Sequence, residues 1–247
     1  MKKSYFIAAL AIIGMVCACD KDDSKDNGNG GNSGKTDSGV AIKIDGSFDD
    51  WKGSGISSAD MSEVEDSAYP NLLVMKACAD AKHVYFYFEC ELEEGQTVAP
   101  IDILINSDGD VSTGFTSWLW ADDGCGWDFM LESEAGFLGA GNTISDLSDI
   151  TVYKCVAGDG QDAWDAGSVM EPLNVEDFSA CKGTVKAGVA YFELSVLRSV
   201  INANKAGKLS FGVTATDATT GDWVTIGVLP QFEEGIGTGE MLEVTLP

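Results

Sequence analysis

Asn106, Asp108 and Asp110 alternate directly behind the apolar run 101–105, and Gly109 and Gly114 permit tight turns in the same stretch. Three oxygen-bearing side chains at that spacing can converge on one hard cation. Calcium is the ion expected, because it takes about six to eight oxygen ligands from carboxylates, carbonyls and water, whereas zinc would want His or Cys. The stretch is not an EF-hand: Val111 stands where that loop needs its glycine, and no Glu follows at the required distance. Asp122 and Asp123 are weaker candidates for the same ion. The bland alternative is a solvated Asp/Gly hairpin.

Aromatic residues crowd the segment that follows. Trp118, Trp120 and Trp127, with Phe115 nearby, share their stretch with Gly124 and Gly126, a composition that suits a loop. Indole faces stack on the apolar C–H faces of pyranose rings while neighbouring Asp and Asn bind the hydroxyls, so this combination points to a polysaccharide or oligosaccharide ligand. Trp118 and Trp120 lie on one side of the chain if it is extended. Trp164, between Asp162 and Asp165, is a further glycan-binding candidate. The alternative for any one of them is burial in the core.

Catalytic signals are sparse. Asp122 with Asp123, or Glu132 with Glu134, could serve glycoside hydrolysis, but a chain with 40 acidic residues forms such pairs by chance. Gly-x-Ser-x-Gly and a phosphate-cradling glycine loop are absent, and His83 is the sole histidine. The expectation is that the chain is not an enzyme.

The elements that must position these residues read as strands. Segments 40–44, 72–77, 83–92, 101–105, 129–132, 150–156, 185–194, 208–216, 223–228 and 240–246 are rich in β-branched and aromatic residues and are separated by Gly, Asp, Asn and Ser. Short strands joined by turn signals predict an all-β chain, an antiparallel β-sandwich of immunoglobulin or jelly-roll type. One short helix is predicted between Ser195 and Asn204: Ser195 can cap it, and Val196, Leu197, Val200 and Ile201 fall on one face. Asp45-Gly46 reads as a strand-ending turn and Trp51 as a core closure, both structural.

Several of these segments, in order, resemble one family. Ile44-Asp45-Gly46-Ser47-Phe48-Asp49-Asp50-Trp51 is similar to the opening motif of family 9 carbohydrate-binding modules and of the related electron-transfer DOMON domains. His83-Val84-Tyr85-Phe86-Tyr87-Phe88-Glu89 resembles the aromatic strand, 106–110 with Thr113-Gly114-Phe115 the acidic loop, and Gly126-Trp127-Asp128-Phe129-Met130-Leu131-Glu132 the strand after it. Segments 189–195 and 209–213 resemble the last third. The resemblance implies the sandwich fold, carbohydrate binding, and Asp128 as a fourth ligand beside Asn106, Asp108 and Asp110. The DOMON side of it implies a less favoured haem alternative, with His83 and one of Met61, Met75, Met130, Met170 or Met241 as axial ligands.

The N-terminus supplies an address. Lys2 and Lys3 precede an apolar run of about a dozen residues, shorter than the roughly 20 a bilayer span needs, and Val16-Cys17-Ala18-Cys19 is a lipobox. Residues 1–18 are expected to be a signal peptide, and 19–39 a lipidated Cys19 with a flexible acidic and Gly-rich tether. Residues 40–247 are expected to form one domain. Asp20-Lys21-Asp22-Asp23 resembles the export signal of surface-exposed Bacteroidota lipoproteins. That resemblance implies a cell-surface location, anchored in the outer membrane by the lipid on Cys19, with protein partners in a glycan-uptake system.

Composition limits the partners. Loss of residues 1–18 leaves 13 basic against 40 acidic residues, with Arg198 the single arginine, so nucleic acid is excluded as a partner. Cys78, Cys90, Cys125, Cys155 and Cys181 remain, an odd set whose pairing is open. Together these readings predict a non-enzymatic, carbohydrate-binding surface lipoprotein with a calcium-stabilised loop. The alternative is a structural or adhesive lipoprotein that meets another protein.

Overall fold

Period-two alternation of large apolar residues forces strands whose alternate side chains must be buried on one face. The computed structural model describes residues 42–53, 55–60, 70–94, 100–116, 125–133, 143–144, 150–156, 170–173, 178–205, 207–217, 224–231 and 240–247. All of these belong to the compact unit Asp37–Pro247. The signal peptide, Cys19, the tether, Asp122, Asp123, Trp118, Trp120 and Trp164 lie outside the described residues.

In chain order the strands are β1 (Ser57–Asp60), β2 (Leu72–Ala79), β3 (His83–Glu91), β4 (Ile101–Asn106), β5 (Phe129–Ser133), β6 (Thr143–Ile144) and β7 (Ile150–Cys155). They continue with β8 (Met170–Pro172), β9 (Phe178–Lys186), β10 (Val189–Leu197), β11 (Gly207–Asp217), β12 (Val224–Leu229) and β13 (Leu242–Leu246). Sheet one has the order β1-β2-β3-β10-β9-β6, and sheet two the order β12-β11-β4-β5-β7-β8, with β13 also on β11. Every named strand pairing is antiparallel. The fold is the predicted antiparallel sandwich.

The core lies between the sheets. Val84, Phe86, Phe88 and Cys90 of β3 and Phe192, Leu194 and Val196 of β10 meet Ile101, Ile103 and Ile105 of β4 and Phe211 and Val213 of β11. Phe86 meets Phe211 edge-on across the gap, at a centroid distance of 4.9 Å. The outward faces are covered too. Ile42, Trp51, Tyr85 and Tyr87 form an apolar layer on sheet one. Leu104, Phe115, Trp127 and Met130 form one on sheet two.

Three local expectations are corrected. Segment 185–194 is a hairpin, because Ala187 (φ 54°) and Gly188 (φ 83°) make a two-residue turn between β9 and β10. Segment 42–44 is irregular: Lys43 N–H donates to Asp50 at 2.8 Å, and Ile42 is buried against sheet one. The helix between Ser195 and Asn204 is absent, since β10 keeps its ladder with β3 as far as the Leu197–His83 pair.

Turns follow Leu197. Their form is set by Arg198, which is 3% exposed and donates to the carbonyls of Ala203 (2.6 Å), Lys205 (2.8 Å), Asp80 (2.8 Å) and Pro247 (3.1 Å). A guanidinium taken out of water needs its donors satisfied, and a helix over 196–204 would leave this one without those partners.

Candidate functional site

At the end of β4 the chain turns outward and folds back over sheet two. Asn106 is fully buried: its Oδ1 accepts from Gly109 N at 2.7 Å and its Nδ2 donates to the Cys125 carbonyl at 3.3 Å. Asp108 accepts from Asp110 N at 2.8 Å and from the Thr113 hydroxyl at 3.0 Å. Asp110 accepts from Ser112 N at 2.9 Å and Ser112 Oγ at 2.6 Å, and the Ser112 bonds hold its exposed carboxyl below the usual range. Asp128 accepts from Ser107 N at 2.8 Å and Ser107 Oγ at 3.0 Å. Burial raises the Asp128 pKa, the Ser107 bonds oppose the rise, and the charge of Asp108 adds to it.

Three of the predicted calcium ligands also shape the loop itself. Asn106, Asp108 and Asp110 each bond a backbone N–H two or three residues on, the ordinary use of Asx side chains in turns. Among the described residues, no group of three or more His, Cys, Asp or Glu comes together to hold a metal ion. Asp108 and Asp128 share their cleft with lysines.

The reading of Trp127 is corrected. It is fully buried, with its ring 5.3 Å from that of Phe115, and the two residues exchange backbone hydrogen bonds of 3.1 Å. No indole face is left for a sugar. Gly126 makes this packing reachable: at φ 52° its hydrogen points where a Cβ would sit 2.6 Å from Val111 Cα. His83, the residue of the haem alternative, is held by its Tyr85 and Asp80 neighbours, with Nδ1 3.4 Å from the Tyr85 hydroxyl.

The loop and its neighbours enclose one end of sheet two. There a cleft of about 420 Å³ opens where β4, β7 and β13 finish and β5 and β11 begin. Ser107, Asp108 and Asp128 line one part and Asn202, Lys154 and Lys205 another, over a small apolar floor of Phe129 and Leu246. Lys208 is also present, its ammonium held by Glu243 at 2.6 Å. The turn carrying Asn202 and Lys205 is the one whose carbonyls Arg198 binds, and Asn202 takes a positive φ of 56° that asparagine tolerates.

At the opposite end of the sheet, on its outer face, Asp102 of β4 stands directly across from Glu132 of β5 and beside Thr214 of β11. Burial pushes the Asp102 carboxyl up to about 7, the Glu132 charge adds to the rise, and the Thr214 hydroxyl at 3.4 Å opposes it. Sequence reading missed Asp102 because one acid in an apolar strand resembles any solvated position. Its parity with Leu104 and the buried Asn106 was the available signal.

No protein-family model matches the chain, and no curated protein matches its sequence. Among solved structures, the chain is similar to a family 9 carbohydrate-binding module from Caldicellulosiruptor kristjanssonii in complex with glucose. The identity is 12% and the TM-score 0.43, over 84% of this chain and 92% of that one. A family 9 module from the same organism in complex with cellotriose is similar at 11% identity and a TM-score of 0.42, over 83% of this chain and 89% of that one.

Proposed function

We propose that the mature chain is a non-catalytic, glycan-binding lipoprotein, held at the outer-membrane surface by a lipid on Cys19, and that the cleft at the end of sheet two takes the sugar. The observation carrying this reading is the cleft's make-up. A saccharide presents hydroxyls that both donate and accept around an apolar C–H face. Here acceptors (Asp108, Asp128, Ser107) and donors (Lys154, Lys205, Asn202) surround the Phe129 and Leu246 floor. The groups stand on strand ends and on a turn tied down by Arg198, so little backbone freedom is lost when a ligand arrives. Its volume of about 420 Å³ lies within the roughly 300–1,000 Å³ of ligand pockets.

The test is a binding screen of the purified full chain against soluble polysaccharides and oligosaccharides, with Asp108→Asn and Asp128→Asn as site variants. Both keep the side-chain shape and one oxygen acceptor. Each is expected to lower the affinity for the best ligand about tenfold, the loss of about 1.4 kcal/mol of charge-assisted hydrogen bonding. Trp118→Ala with Trp120→Ala tests whether the two indoles singled out in the sequence contribute. Absence of binding to every glycan would remove the reading, as would binding that both Asp variants leave unchanged.

A further inference from the structure

The charge pattern of the same cleft narrows the ligand class, an inference that rests on the glycan reading above. Acidic residues outnumber basic ones 40 to 15 along the chain, so an ammonium group has many carboxylates available to it. Two lysines of the cleft nonetheless stand apart. Lys154 and Lys205 form no ion pair among the described residues. Lys154 is opposite Glu171 across the β7–β8 pair without bonding to it.

Both lysines are exposed and line one cavity. The carboxylates of that cavity are already supplied with donors: Asp108 by Asp110 N and Thr113, Asp128 by Ser107. What the described lining lacks is a carboxylate bonded to Lys154 or Lys205. What it retains in Asp108, Asp128 and Asn202 is capacity for hydroxyls.

We propose that the cleft binds an acidic sugar, with the carboxylate of a hexuronate residue between Lys154 and Lys205 and its ring hydroxyls toward Asp108, Asp128 and Asn202. The surrounding negative charge does not prevent this, because it is screened over about 8 Å at physiological ionic strength while the two ammonium groups act at contact. Lysine serves as a point charge here, so binding should tolerate differences in carboxylate orientation more readily than an arginine fork would.

Galacturonate, glucuronate and mannuronate oligosaccharides, each compared with its methyl ester, provide the test on the purified full chain by titration calorimetry. The ester keeps every hydroxyl and removes only the charge. At least one acid is expected to bind about tenfold or more tightly than its ester, and the preference should shrink as salt rises. Lys154→Ala with Lys205→Ala should bring acid and ester to equal affinity while leaving the melting temperature unchanged. Equal binding of acids and esters by the wild type would overturn the proposal and leave the glycan reading standing. So would a preference that survives in the double variant. Binding of neither acids, esters nor neutral glycans would overturn both.

Discussion

The two outer faces of the sandwich are covered in different ways. On sheet one, segment 42–56 closes over the strands through a buried acid. Glu193, with no exposed surface, accepts from Asp45 N at 2.9 Å and Gly46 N at 2.7 Å on one oxygen and from Trp51 Nε1 at 2.8 Å on the other. Three donors compensate the burial that raises the Glu193 pKa. On sheet two, residues 107–116 and 125–127 cover the face with backbone turns and aromatic packing, while Asp102 beside Glu132 and the lysine-lined cleft lie toward the two ends of the sheet. A buried polar group whose bonds are complete locks a lid. One with capacity left over is a place for a ligand.

The largest effect should come from breaking the lock. Glu193→Ala leaves two backbone N–H groups and the Trp51 indole N–H without their acceptor under a lid, and is expected to cost about 3 kcal/mol. Urea unfolding followed by tryptophan fluorescence measures it, and Glu193→Gln should recover part of the loss. Lys154→Ala, at the open end, should stay within about 0.5 kcal/mol of wild type in the same assay. Equal losses would erase the contrast.

Gly126→Ala attacks the other cover. Its Cβ would meet Val111 Cα at 2.6 Å and the Asp110 carbonyl at 2.7 Å, with φ at 52°, so about 2 kcal/mol should be lost. Sheet two's layer should loosen while Trp51 stays protected, a pattern that hydrogen exchange resolves.

Asp102 sharpens the comparison through pH. Its folded pKa of about 7 lies above the unfolded carboxylate value, so the folded chain keeps a proton that the unfolded chain has already released. This contribution to stability is present at low pH and is lost as pH rises from the ordinary carboxylate range to about 7. Asp102→Asn should therefore raise stability at pH 8 on the order of 2 kcal/mol. That is about half of the full shift at roughly 1.4 kcal/mol per unit, because the carboxyl is only partly covered. Melts of both proteins from pH 4 to pH 8 check this, and parallel curves would refute it.

The smallest expected effect is that of calcium. With Asn106, Asp108 and Asp110 committed to turns, melting temperatures with chelator and with millimolar calcium should agree to within about 2 °C, the shift that under 1 kcal/mol of binding would give. A rise of several degrees, lost in Asp108→Ala, would show the loop to be a cation site.

What was legible in the sequence followed from local rules. β3, with four successive aromatic residues at 85–88, was readable because burial on one face and cover on the other both demand large side chains. β9 was not, since Ser179, Lys182, Gly183 and Thr184 carry no apolar alternation and the strand exists through its pairing with β10. The turn after Leu197 was misread because Val196, Leu197, Val200 and Ile201 satisfy a helical face on paper, whereas Arg198 needs carbonyls from four places. Asn106, Asp108 and Asp110 were legible as one loop, but their turn hydrogen bonds were not, for Asx turns and metal loops use the same residues. The cleft was invisible because Lys154 comes from β7, Lys205 from the turn before β11 and Lys208 from β11 itself, and only the fold brings them together.

The cysteines have a practical consequence. All five described cysteines are free and buried, and they are distributed by layer: Cys78 under the lid of sheet one, Cys90 and Cys181 between the sheets, Cys125 and Cys155 beneath the loop of sheet two. Burial pushes the thiols of Cys78 and Cys90 up to about 12 and that of Cys125 to about 11, so none of these three is a nucleophile while its layer is shut. Each layer thus carries its own stopwatch. Under a thiol-reactive label, the order in which these positions are alkylated is the order in which the molecule comes apart.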